Sequence, residues 1–180
     1  MPGVEIELNP VDFVTIGTIG PKGKRVFYLQ AGHKNQVASL LIEKEQSWAL
    51  SEAINEFLND LNERYGQDSA DDPEPDTLDM DLREPIEPLF RVAQMGLGYD
   101  EGLGKVVLIA QELVITDDDS DAVGDVPDEE LEELEEPTPS VVRIWCTRQQ
   151  ILALSQRAMK TVESGRADPK QNGRLVYYWA

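Results

Sequence analysis

Lys44-Glu45-Gln46-Ser47-Trp48-Ala49-Leu50-Ser51 and Arg148-Gln149-Gln150-Ile151-Leu152-Ala153-Leu154-Ser155 read as two copies of one helix start, and the same order of patterns surrounds each. Immediately before them lie the short apolar runs Gln36 to Ile42 and Ser140 to Cys146, in which Ala38, Leu40 and Ile42 alternate as Val142, Ile144 and Cys146 do. Further upstream, Phe13 to Ile19 and Arg25 to Ala31 flank the turn Gly20-Pro21-Lys22-Gly23-Lys24. Phe90 to Tyr99 and Lys105 to Val114 likewise flank Asp100-Glu101-Gly102-Leu103-Gly104. Period-2 runs separated by glycine turns predict hairpins, and self-similarity of this length predicts a duplicated β-β-β-α unit.

Downstream, Leu50, Ile54, Phe57, Leu58, Leu61 and Tyr65 recur at spacings of three and four and predict one apolar helix stripe. Leu154, Ala158 and Val162 take the places of Leu50, Ile54 and Leu58, and Thr147 with Gln150 is a capping-box signature. Val4, Ile6 and Leu8 alternate with acids as far as Pro10, predicting a short edge strand. The expected fold class is α+β: an antiparallel sheet of about six strands with two helices on one face, related by a pseudo-twofold axis. The alternative is a half-closed β-barrel with the helices outside. The chain reads as one domain over 1–180: a first unit at 13–66, an acidic Pro-rich connector at 67–88, a second unit at 89–165 with an acidic insertion at 116–139, and an aromatic tail at 166–180.

Charge is unevenly spread. The formal net charge is −19, yet 67–88 and 116–139 between them hold most of the 35 acidic residues and leave the remaining chain close to neutral. This argues against nucleic acid, whose phosphates require clustered Lys and Arg. One cysteine allows no internal disulfide, the N-terminal residues lack a basic and apolar leader, and no apolar run approaches a membrane span. A cytoplasmic location away from membranes is therefore expected.

No catalytic constellation assembles from these residues, so an enzyme is the less favoured expectation, and no cofactor is expected. His33, the only histidine, sits in the polar turn Gly32-His33-Lys34-Asn35, and Cys146 falls on an apolar strand face, where a thiol packs as a small hydrophobe. Asp117, Asp119, Asp121 and Asp128 carry part of a calcium-loop spacing. Ala122 stands where that loop needs glycine and the flanks are strand-like, so no metal site is expected. The glycine turns open no helix and so do not cradle phosphate.

Phe13-Val14-Thr15-Ile16-Gly17-Thr18-Ile19-Gly20, Val26-Phe27-Tyr28-Leu29-Gln30-Ala31, Phe90-Arg91-Val92-Ala93-Gln94-Met95-Gly96-Leu97 and Ala110-Gln111 together resemble an uncharacterised bacterial family of actinobacteria and chloroflexi, the domain of unknown function numbered three-zero-nine-zero. The resemblance runs from about Asn9 to Gly173 and implies no activity. Members of that family end in a four-cysteine segment between Gly-Arg and Asn-Gly. Here Gly165-Arg166 and Asn172-Gly173 enclose Ala167-Asp168-Pro169-Lys170-Gln171, which lacks those ligands.

Two functions follow as expectations. The first is a non-enzymatic adaptor or regulatory protein that binds another protein, with a basic surface, through its acidic loops and a sheet edge. Leu131 and Leu134 amid acids, and Tyr177, Tyr178 and Trp179 in the tail, would touch that partner. The second is a small-ligand or phosphoryl-chemistry accessory protein, with Lys22, Lys24, Arg25 and Lys105 lining a groove between the two glycine-turn hairpins.

Overall fold

A computed structural model describes residues 3–21, 23–66, 78–114 and 138–164. The elements are β1 (Glu5–Leu8), β2 (Phe13–Ile19), β3 (Val26–His33), β4 (Gln36–Ile42), α1 (Lys44–Tyr65), β5 (Pro88–Asp100), β6 (Lys105–Glu112), β7 (Val141–Cys146) and α2 (Arg148–Ser164). The strands form one seven-stranded sheet in the order β1-β7-β6-β5-β4-β3-β2. The α+β class and the two helices agree with the sequence reading.

The sheet is mixed, where an antiparallel one was expected. Each β-β-β run is an antiparallel meander, but β4 pairs with β5, and β7 with β1, in parallel. Parallel neighbours need a long crossover, and α1 supplies it between β4 and β5. The sheet is not closed into a barrel. Its edge strands β1 and β2 are consecutive in the chain, and residues 9–12 pass between them: Val11 N–H donates to Trp145 O (3.0 Å) and Asp12 N–H to Gly32 O (2.7 Å).

Hydrogen bonds between the halves display the twofold relation. Ser51 and Ser155, 104 residues apart, face each other where the helices touch, and each hydroxyl donates to the other's carbonyl (2.9 and 3.1 Å). Such self-reciprocal contact is what a twofold axis requires. The capping boxes also correspond: Gln46 accepts from Glu43 N–H, and Gln150 from Thr147 N–H. Each of these glutamines then donates to the first strand run of the other unit, Gln46 to Val92 O (2.9 Å) and Gln150 to Val11 O (3.1 Å). The ladders extend the match. Ile16 opposes Leu29 and Leu29 opposes Leu40; Leu97 opposes Leu108 and Leu108 opposes Ile144. Likewise Pro88 lies opposite Ser39 as Glu7 lies opposite Arg143. In this correspondence β1 and β2 together equal the single strand β5, with a break at Asn9-Pro10, and β1 is the short edge strand expected from Val4, Ile6 and Leu8.

One core serves both halves. Leu29, Ala31, Leu40, Leu108, Val142 and Ile144 on the inner sheet face pack with Leu50, Ile54, Ile151 and Leu154 of the helices. The outer face over β2–β4 is covered by residues 78–83, which form no helix or strand. Buried Thr15 donates to Met80 O (2.6 Å). Buried Gln30 donates to Arg83 O (2.8 Å) and accepts from Arg83 N–H (2.7 Å). The Arg83 guanidinium lies 3.6 Å over the Phe13 ring, a cation–π contact. Leu82 sits so close to Gly17 that a Cβ there would come within 2.5 Å of it.

Candidate functional site

Leu50, Ile54, Leu58 and Leu61 turn one face of α1 into the core. The neighbouring face, with Gln46, Ala49, Ala53, Glu56, Phe57 and Asp60, looks along the Ala93–Leu97 stretch of β5, and the two enclose a groove of about 470 Å³ floored by Leu108. β5 begins against β4, as far as Arg91, and continues against β6 from Val92 to Asp100. Among the described residues, its 93–97 stretch therefore has a strand on one side and the groove on the other. Ala49 and Ala53 keep the helix wall low, Met95 and Leu97 are half-buried, and Glu56 and Asp60 are exposed on the rim.

The related half explains why this space is open. There, Arg157 of α2 donates from Nε to Ile16 O of β2 (3.2 Å), tying helix to strand. Arg157 corresponds to Ala53 at the spacing set by Ser51 and Ser155, and Ile16 corresponds to Leu97 through the ladders. A methyl group stands where the other half has a guanidinium. Lys160, which lines a cleft beside Arg157, Asp81 and Leu82, corresponds in turn to Glu56, so the local charge is inverted.

Of the residues singled out in the sequence, only some fall among the described ones. Lys22, Leu131, Leu134, Tyr177, Tyr178 and Trp179 lie outside the described residues, as do Asp117, Asp119, Asp121 and Asp128. Lys24 is exposed. Arg25 lines a cleft with Gly23, Glu43, Lys44 and Arg91 that includes no residue of the 100–105 turn. Lys105 Nζ donates instead to Asn9 Oδ1 (3.3 Å). His33 Nδ1 lies 2.6 Å from Pro10 O. Cys146 is fully buried, and desolvation pushes its thiol far above the ordinary cysteine range.

Among the described residues no group of three His, Cys, Asp or Glu side chains is placed to hold a metal. Nor, among the described residues, is any helix long and apolar enough to cross a membrane. The groove-lining residues were missed because alanines and a backbone edge carry no chemical signature. The only signal was a difference between the two copies, Ala53 against Arg157.

A family model described as "Protein of unknown function (DUF3090)" matches residues 6–172. No curated protein and no solved structure matches the chain.

Proposed function

The chain belongs to the DUF3090 family of proteins of unknown function, and on that premise we propose that it is a non-enzymatic binding protein holding an extended segment of a partner between α1 and β5. The observation that carries this reading is the groove itself: a strand edge, 93–97, faced by a helix wall of alanines across about 470 Å³. An extended peptide there gains main-chain hydrogen bonds from the strand edge and apolar contact from Phe57, Met95 and Leu97. Glu56 and Asp60 on the rim favour a basic segment, and the net charge of −19 draws such a partner in at long range. The acidic stretches at 67–88 and 116–139 add to that attraction. An adaptor needs no reactive group, and the two chemically versatile side chains, His33 and Cys146, stand in a turn and in the core.

The test is a display selection of peptides on the intact protein, repeated on Ala53→Trp, whose indole would fill the groove. Selected peptides should lose at least tenfold in affinity for Ala53→Trp while its melting temperature stays unchanged. Peptides indifferent to that substitution bind elsewhere and refute the groove.

A further inference from the structure

We infer that the segment held in the α1–β5 groove is anchored by an arginine flanked by apolar residues, contributed by a partner protein. This deepens the reading above and rests on it. The internal symmetry shows what that anchor does. In the filled half, a guanidinium lies between helix and strand, its Nε–H bonded to Ile16 O at 3.2 Å. In the open half, the corresponding helix position is Ala53 and the corresponding strand position is Leu97. The groove therefore lacks the one group that its counterpart supplies from within.

The rim is adapted to receive that group from outside. Where Lys160 borders Arg157, Glu56 occupies the corresponding place, and Asp60 lies one turn further along the same face. A cation entering beside Ala53 meets two carboxylates instead of a like charge. A planar guanidinium can donate to a backbone carbonyl and a carboxylate at once, which a lysine ammonium does with less directional fit. Met95, Leu97 and Phe57 provide the apolar surface for the residues on either side of the arginine.

The experiment is an amide-resolved NMR titration of the full chain with N-acetyl-Leu-Arg-Leu-amide and with the same tripeptide carrying citrulline, which keeps the shape and loses the charge. The arginine peptide should shift the amides of Ala53 and of Gln94 to Leu97. The citrulline peptide should bind at least tenfold more weakly. Ala53→Arg, which supplies the guanidinium from within, should abolish the shifts, and Glu56→Gln with Asp60→Asn should weaken binding several-fold and flatten its salt dependence.

Equal binding of both tripeptides in the groove overturns the arginine anchor and leaves the groove reading standing. The anchor also falls, alone, if neither tripeptide moves these amides while display-selected peptides do. Both readings fall if nothing moves them. Should the arginine peptide bind only after residues 165–180 are removed, the occupant is this chain's own Arg174-Leu175-Val176, and the partner is overturned.

Discussion

A serine near the middle of each helix decides how closely the two helices approach. Ser51 and Ser155 are fully buried, and each satisfies its hydroxyl on the other's backbone carbonyl, which only a short side chain at both places permits. Ser155→Val should cost about 1–3 kcal/mol, because the larger side chain forces the helices apart and removes the hydroxyl that bonds Ser51 O and Asn55 Oδ1. Denaturant unfolding would measure the loss. Cys146 provides a second test at this scale. Its thiol stays protonated in the folded protein, whereas the unfolded chain ionises near pH ~8.5, so protons leave on unfolding and stability falls above that pH by up to about 1.4 kcal/mol per unit. Below pH ~8.5 the contribution is complete. Melting temperatures of the wild type and Cys146→Ala, compared from pH 7 to 10, should diverge in slope only above that value.

The secondary-structure elements were largely legible because their periodicities are local. Leu50 and Leu154 were assigned to the core from helical spacing, and both are buried there. Leu50→Ala and Leu154→Ala should each cost about 2–5 kcal/mol in equilibrium unfolding. The pairing of the elements was less legible. Nothing in Gln36–Ile42 or Pro88–Asp100 states that these strands run parallel, since that follows from where α1 returns the chain. Residues 78–83 belong to the acidic Pro-rich connector and form no helix or strand, yet they are docked on the sheet, through Thr15, Gln30 and Phe13, which are distant in sequence. Gln30→Leu removes both bonds to Arg83 and should free this segment, seen as faster tryptic cleavage after Arg83 with the core still folded. Unchanged cleavage would mean that the Thr15 bond to Met80 O, the cation–π contact and Leu82 hold it without Gln30.

For the molecule as a whole, the repeat revealed the architecture and also concealed the site. Matching residues define the shared core, whereas the groove exists where the copies differ, at Ala53 against Arg157. The reverse substitution, Arg157→Ala, should open a second groove along β2 and lower stability by about 1 kcal/mol through loss of the guanidinium bond to Ile16 O. A gain of peptide binding in that variant, blocked by restoring the arginine, would tie groove opening to this one side chain. If a basic segment occupies the groove as proposed, the net charge of −19 should make its association slow steeply as ionic strength rises, which stopped-flow binding would measure.

The crossed glutamines make each half depend on the other. Gln46 reaches from the first half to Val92, and Gln150 from the second half to Val11, so each half completes the other's helix-to-strand junction. Two separate copies of residues 3–66 contain every group needed to satisfy those bonds between themselves. The two halves are therefore interlocked as the subunits of a twofold dimer are, but on one chain the corresponding positions need not be identical, and Ala53 can stand in one half while Arg157 stands in the other.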